Sequence, residues 1–233
     1  MESIPLESDQ DWWWYKARLN VLTYILKNIS SDPLKILEIG PGKGNNLNTL
    51  SKFGSVDVLE TDLNFIKHIK DSTSVKIGNY YKNFNEIEKK YDLIILLDVI
   101  EHIENTKVFM DEVTKILLEN GKIIVSVPAY KSLWSIHDEK LKHFRRYTWK
   151  MLYKELENYT ILKRQGFNWM LLPVRYLQIK YSDNIHSTAK KSNLLNKILY
   201  SISVVEHFLR RLKIDGKFGI SLFVVAQKKP NPY

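Results

Sequence analysis

The 233-residue chain contains no cysteine. That absence excludes disulfides, thiolate metal sites and cysteine nucleophiles. The chain also lacks any apolar run long enough to span a bilayer. Its N-terminus has no basic segment followed by an apolar one, so no signal peptide is read and a cytoplasmic protein is expected. Internal repeats and low-complexity tracts are missing as well. What remains is 44% apolar and 26% charged, as in an ordinary globular protein. The length suits one domain with elaborations and a sizeable core.

Charge is the uneven feature. The formal balance is +9. From Lys163 to Lys213 there are ten Lys and Arg against two acids, Asp183 and Glu206, so this one segment holds nearly all the excess. A basic surface suits nucleic acid or an anionic membrane.

The chain is organised around residues 34–44, LKILEIGPGKG. Leu34, Ile36, Leu37 and Ile39 give a short apolar, partly β-branched run, read as a buried strand. Its glycine turn lets a ligand approach backbone with no Cβ in the way. Leu47, Leu50 and Phe53 then predict a helix over 45–53. Strand, glycine turn and helix form the first unit of a ligand-binding α/β domain.

Further elements alternate. Upstream, residues 11–29 predict a helix with Asp11 as N-cap. Its stripe is Tyr15, Leu19, Leu22 and Leu26, joined by Trp12, Val21, Ile25 and Ile29. Trp12, Trp13 and Trp14 either pack in the core or form a lid over a ligand. Downstream come strands at 55–60 and 74–77, with a helix between them capped by Asp62. The run 91–97 is apolar on both faces after Asp92, as in a central parallel strand. A helix over about 104–118 is expected to turn Val108, Val113, Ile116 and Leu117 inward. Strands follow at 122–127, 160–164 and 218–227, with a helix at about 148–158. Between the last two strands, Leu194, Leu195, Ile198, Leu199, Ile202, Val205, Leu209 and Leu212 predict a long amphipathic helix. It either packs on the sheet or faces an anionic membrane. The fold expected is α/β, a doubly wound and mostly parallel sheet.

In such sheets ligands bind outside the carboxyl ends of the strands. Collected there are Glu38, Gly40, Gly42 and Gly44, then Glu60 and Asp62, then Gly78-Asn79. Next come Asp98, Glu101 and His102, and the irregular aromatic stretch 130–147. Glu60 lies 20 positions after Gly40, the place for a carboxylate on ribose hydroxyls. The spacing G-x-G-x-G differs from the dinucleotide G-x-G-x-x-G.

LEIGPGKG, the strand end at Glu60, Gly78-Asn79 and LLDVIEHI resemble the successive motifs of class I S-adenosylmethionine-dependent methyltransferases. ENGKIIVSVP is similar to that family's turn and fifth strand. LWSIHDEKLKHFRRYT further resembles a subgroup with a D…H-x-R-R-Y-T loop, whose members are sometimes linked to glycan or lipid modification. The resemblance covers about 34–165 and the last strand. It implies a single domain over 1–233 with a seven-stranded sheet whose last strand is antiparallel. Within it, 1–32 would be an N-terminal helical lid, 33–165 and 217–229 the Rossmann-like core, and 166–216 a basic helical insertion shaping the acceptor site.

The implied cofactor is S-adenosyl-L-methionine, with S-adenosyl-L-homocysteine as product. By position, Glu38, Gly40, Gly42, Gly44, Glu60, Thr61, Asn79, Tyr80, Leu97 and Asp98 would bind it. Glu38 would serve the ammonium and Glu60 the ribose. Asn79 would stand where the family commonly has an adenine-contacting aspartate. Trp14, Tyr130, His137, Arg145, Arg146 and Tyr147 would meet the acceptor. Arg145 and Arg146 either fork an anion or brace the loop. His143 and His102 are candidate bases, needed if the acceptor is a hydroxyl or protonated amine. No ligand spacing is diagnostic of a metal, so none is expected.

The expected activity is in-line methyl transfer to an O or N acceptor on a small molecule, glycan or lipid-linked substrate, with peripheral membrane contact as a further possibility. A non-catalytic cofactor-binding scaffold and a nucleic-acid methyltransferase are the alternatives. Against the latter, DVIEH replaces an N/D-P-P-Y turn, cytosine C5 chemistry needs the missing cysteine, and no RNA-binding pattern is present.

Overall fold

The computed structural model describes residues 12–181, 193–212, 214 and 216–230. Asp11, Asp183, Lys190, Lys191 and Lys213 lie outside the described residues. Seven strands form one sheet: β1 (Leu34–Ile39), β2 (Gly54–Leu59), β3 (Tyr80–Tyr81), β4 (Tyr91–Leu97), β5 (Leu117–Pro128), β6 (Tyr159–Phe167) and β7 (Ser221–Lys228). Their order is β3-β2-β1-β4-β5-β7-β6. Neighbours from β3 to β5 pair parallel, and β7 inserts antiparallel between β5 and β6. Among the described residues the α-helices are α1 (Trp13–Leu26), α2 (Leu47–Leu50), α3 (Leu63–Ser72), α4 (Thr106–Lys115), α5 (Ile136–Lys140), α6 (Trp149–Glu155), α7 (Leu172–Tyr181) and α8 (Asn193–Arg211). Among the described residues, no helix is long and apolar enough to cross a membrane.

β4 explains why its sequence is apolar throughout. Leu93, Ile95 and Leu97 join the cluster under α1 and α2, while Ile94 and Leu96 join the opposite one under α4 and α6. A strand buried on both faces loses the alternation of a half-exposed one. Each such side chain contributes about 1.5–3 kcal/mol by leaving water. Because β1 and β4 are adjacent and parallel, their carboxyl ends reach the same edge. Asp62 caps α3 as expected, accepting the Asn64 N–H at 2.8 Å.

Several elements differ from expectation. The helix expected at 45–53 is a glycine-led turn and the single helical turn of α2. The third strand is Tyr80–Tyr81, not 74–77, with Val58 paired to Tyr80. On α4, Val108 faces solvent, and Thr106, Met110 and Val113 turn inward. β6 runs on to Phe167, so Gly166 and Phe167 belong to the sheet. On α1 the buried row is Trp13, Ala17, Val21 and Ile25 with Arg18, Leu22 and Leu26, while Leu19 packs half-buried at its margin and Tyr15 is only half-buried. Trp13 faces the core, and Trp14 meets Phe167 edge-on at 5.0 Å.

The largest difference is α8. Its buried side chains are Ser203, Glu206 and Arg210, whereas Leu194, Ile198, Val205, Phe208 and Leu212 are exposed. Glu206 accepts the N–H groups of Asn168 at 2.8 Å and Met170 at 3.2 Å. Arg210 donates to Glu206 at 2.9 Å and to the Gly166 carbonyl at 3.3 Å. Ser203 donates to the Asn168 side chain at 3.0 Å. Where β6 stops, its backbone needs partners, and this polar row supplies them. On its other side α8 packs on α1, with Asn196 accepting the Trp13 N–H at 2.8 Å and Leu199, Tyr200 and Ile202 half-buried against the core.

Candidate functional site

The carboxyl edge of β1, β2 and β4 gathers the polar groups. Gly40, Gly42 and Gly44 take positive φ values of 66°, 53° and 76°. At Gly40 an added Cβ would meet Val99 at 3.0 Å, whereas at Gly42 it would meet nothing within 4 Å. The Gly42 backbone therefore faces open space.

Glu60 closes on this turn. One carboxylate oxygen accepts the Gly42 N–H at 3.1 Å and the other accepts the Asp62 N–H at 3.0 Å. Each keeps a lone pair for a further donor. Glu38 is buried, and one of its oxygens accepts the Asn46 amide at 2.6 Å. Its other oxygen is buried with no partner. Burial pushes Glu38 up to about 7, against the Asn46 hydrogen bond and the charge of Arg18.

Asp98, just past β4, sits at φ 56°. An L residue held there carries strain of about 1–3 kcal/mol, which the surroundings must fix. Two bonds do so: Asp98 accepts Ser126 Oγ at 2.9 Å and Arg18 Nη1 at 2.7 Å. Arg18 comes from α1, so the N-terminal helix is tied to the strand edge. Its Nε is buried with no partner. Sequence reading missed Arg18. The signal was its helical phase, four before Leu22 and three before Val21, which marks a buried position on α1.

The stretch after β5 forms a second cluster. Ser135 and Asp138 make a capping box at the start of α5. Asp138 also binds His143 Nδ1 at 2.9 Å and takes a bidentate fork from Arg146 at 2.7 and 3.0 Å. Burial works against this charge, but the bonds from His143 and Arg146 hold Asp138 well below the usual carboxylate range. The His143 and His102 rings meet edge-to-face at 4.6 Å. Burial, then the neighbouring His143, lowers the His102 pKa. Glu101 is fully buried, and neither carboxylate oxygen has a partner. Burial, followed by the nearby Asp98, raises its pKa well above the ordinary range.

The remaining expected site residues have the following settings. Arg146 also donates to the Ala129 carbonyl, and Arg145 bonds Thr106 and the Glu104 carbonyl, so both arginines brace the loop, and the anion Arg146 forks is the chain's own Asp138. Tyr147 is fully buried, and its hydroxyl donates to the Ile100 carbonyl. Asn79 lies below the strand edge, level with Asp57, and donates its N–H and amide to that carboxylate. Tyr80 lies within β3 with Lys70 over its ring at 4.8 Å. Thr61 and His137 are exposed, Leu97 is buried, and Trp14 and Tyr130 are half-buried. A surface concavity lined by Lys90, Asp111, Lys115, Glu119 and Lys228 lies at the opposite, amino end of the strands.

The edge thus fits S-adenosylmethionine on its own features. Glu38 has an orphaned oxygen for an ammonium, and Glu60 has spare acceptors for a diol. Open backbone at Gly42 leaves room beside them.

Comparison with known proteins gives the family and the fold. A family model described as "Methyltransferase domain" matches residues 13–172. The ubiquinone biosynthesis O-methyltransferase of Rickettsia bellii is 30% identical over 134 residues, covering 49% of this chain and 56% of that protein. The mitochondrial protein of the same description from Dictyostelium discoideum is 29% identical over 111 residues, 40% of this chain and 35% of its own. The match spans about half the length of the curated relatives, or less. Among solved structures, the S-adenosyl-L-homocysteine complex of the N-methyltransferase NodS from Bradyrhizobium japonicum is 13% identical with a TM-score of 0.58, covering 97% of this chain and 95% of that one. Coclaurine N-methyltransferase, bound to N-methylheliamine and S-adenosyl-L-homocysteine, is 12% identical with a TM-score of 0.59, covering 92% and 72%. At that identity the structures show a shared fold.

Proposed function

This chain belongs to the methyltransferase domain family, with the class I S-adenosylmethionine-dependent fold, and from that premise we propose that it transfers a methyl group to a hydroxyl oxygen of a small or lipid-linked acceptor. The observation that carries the reading is the meeting of Glu38, Glu60, Asp98 and Arg18 around the open turn at Gly42. When bound, S-adenosylmethionine supplies a methyl carbon activated by its positive sulfur. Glu60 would accept from the ribose hydroxyls, Glu38 from the ammonium, and Arg18 would donate to the carboxylate beside Asp98. Much of the rate would come from positioning and from water exclusion by α1. The acceptor oxygen forms a bond to the methyl carbon as the carbon–sulfur bond breaks, its electron pair passing to sulfur. The hydroxyl proton must be shed, and the Glu101, His102 and His143 cluster just beyond Asp98 is the group set that can assist.

Oxygen is favoured because the sequence relatives are O-methyltransferases by name, at about 30% identity, while the N-methyltransferases share the fold alone. The exposed row Leu194, Ile198, Val205, Phe208 and Leu212, with Lys197 and Arg211 beside it, supports peripheral contact with an anionic membrane and an acceptor presented there. The test is labelled methyl transfer to hydroxyl-bearing acceptors, free and in anionic vesicles. Cofactor binding without transfer to any acceptor would favour a scaffold.

A pH dependence follows from Glu38. It is protonated below about 7 and ionised above it. Cofactor affinity is expected to rise as pH climbs through 7, because only the carboxylate attracts an ammonium. The stability contribution has the opposite sign. It is full below the ordinary carboxylate pKa and declines as pH rises through about 7, since the folded state holds the proton longer. Calorimetry from about pH 5.5 to 8.5 should show proton release on binding. Glu38→Gln should flatten the profile, and an unchanged profile would remove Glu38 from the ammonium site.

A further inference from the structure

α7 inverts the usual amphipathic arrangement. Of its residues only Arg175 is buried, at 7% exposed, while Val174, Tyr176, Leu177 and Tyr181 face solvent. A guanidinium taken out of water needs a counter-charge or a full set of acceptors. Arg175 has neither. Among the described residues its guanidinium makes one hydrogen bond, from Nη2 to the neutral Ser135 Oγ at 3.1 Å. A guanidinium carries a fork of several donors, so most of this one's capacity is unused.

The carboxylate behind Ser135 is already taken. Asp138 accepts His143 Nδ1 and Arg146 Nε on Oδ1, and Arg146 Nη2, the Ser135 N–H and Ser135 Oγ on Oδ2. These donors fill the roughly four lone-pair positions of a carboxylate, which leaves none for Arg175. Two guanidinium groups thus share one carboxylate, and a positive charge is left over. Burial, and then the charge of Arg146, pushes the Arg175 pKa down to about 10 against the pull of Asp138, so the group stays cationic at neutral pH.

The position suits an acceptor. α7 packs on the 3₁₀ turn Lys131–Leu133, which follows the carboxyl end of β5. Ser135 and Asp138 then join Arg175 to His143, at the edge where the methyl donor is placed. Val174 and Leu177, exposed beside Arg175 on α7, add apolar surface.

We propose that Arg175 binds an anionic group, carboxylate or phosphate, carried by the acceptor, and so selects which hydroxyl-bearing compounds are methylated. A planar fork with free donors matches either oxyanion. The role in selection rests on the methyl-transfer reading; anion binding itself does not.

The test is anion binding by the whole chain, followed by nuclear magnetic resonance. Benzoate and inorganic phosphate are titrated in turn, with neutral benzamide as control, and the Arg175 Nε–H resonance is read after nitrogen-15 labelling of arginine. A saturable shift is expected with benzoate if the acceptor's group is a carboxylate and with phosphate if it is a phosphoryl ester, and none with benzamide. Arg175→Gln, read through the backbone amides of 131–135, should weaken binding at least tenfold, as the loss of charged hydrogen bonds implies. Arg175→Lys keeps the charge without the planar fork and should bind benzoate severalfold more weakly than wild type. Arg164→Gln, exposed on β6, should change nothing. If Arg175→Gln fails to fold, Arg175→Lys and the wild-type titration carry the comparison. No saturable shift with either anion, an equal response to benzamide, or wild-type affinity in the folded Arg175 variants would overturn the proposal. An Arg175 that only braces α7 against Ser135 gives that result, since its loss lowers stability with no anion response to lose. A parallel titration with S-adenosyl-L-homocysteine reports separately on the cofactor site, so a failed anion site and a failed methyltransferase reading give different results.

Discussion

Replacing Glu60 with alanine is expected to weaken S-adenosyl-L-homocysteine binding about 100-fold while leaving the chain folded. In the free protein, Glu60 accepts one backbone N–H on each oxygen. Both oxygens keep a lone pair for a further donor at the edge where β1 and β2 end. A diol bound there would gain two hydrogen bonds to a charged acceptor, each contributing about 1.5–3 kcal/mol. Against this stands the loss of water from the carboxylate, which is small because Glu60 is only 8% exposed already. A net loss of about 3 kcal/mol corresponds to roughly a hundredfold in affinity. Glu60→Gln keeps one acceptor oxygen and should lose about tenfold. Calorimetry with the product measures both, and thermal melting shows whether the fold survives. An alanine variant that binds as tightly as wild type would move the ribose elsewhere and undo the cofactor placement.

That prediction rests on a part of the molecule that local sequence reveals well. β1, β2 and β4 announce themselves because a strand buried on both faces must be apolar throughout, and the glycines between β1 and α2 take φ values that other residues resist. β3 is harder to place for a related reason. It is a two-residue edge strand, held by bonds to β2 and not by its own apolar content. Asn79 moved with it, from the strand end to the side of Asp57. The loop arginines show a different limit. A cluster such as Arg145, Arg146 and Tyr147 gives chemistry without direction, and here the donors turn inward to Asp138, Thr106 and backbone carbonyls. Arg18 errs in the opposite sense. It reads as a surface residue until the buried phase of α1 is known.

α8 gives the sharpest case. Helical spacing finds an apolar face but cannot say that a neighbour wants the polar one. The unpaired N–H groups of Asn168 and Met170 decide it, and they lie more than thirty residues away in sequence. Once Glu206 satisfies them, Arg210 must follow to balance a carboxylate that is 1% exposed. The apolar row is then left outward. An exposed face of this kind needs a binding explanation more than a folding one.

Glu206→Ala and Arg210→Ala are each expected to destabilise the chain by about 3–5 kcal/mol, the cost of leaving one member of a buried pair without its counter-charge. Glu206→Ala also orphans two backbone N–H groups, so it should sit at the upper end. Arg210→Ala leaves the carboxylate with those N–H groups for company and should sit lower. For a domain of this length, each kcal/mol lowers the melting temperature by about 2–4 °C, so both shifts are large. Replacing the pair together, Glu206→Met with Arg210→Met, should cost less than the two alanine variants summed, because no uncompensated charge remains buried. Urea unfolding of the variants measures the coupling. Single-variant losses below about 1 kcal/mol would place the pair among the solvent-screened ones. In that event the anchor of α8 would have to be sought in its half-buried Leu199, Tyr200 and Ile202, packed on the core near α1.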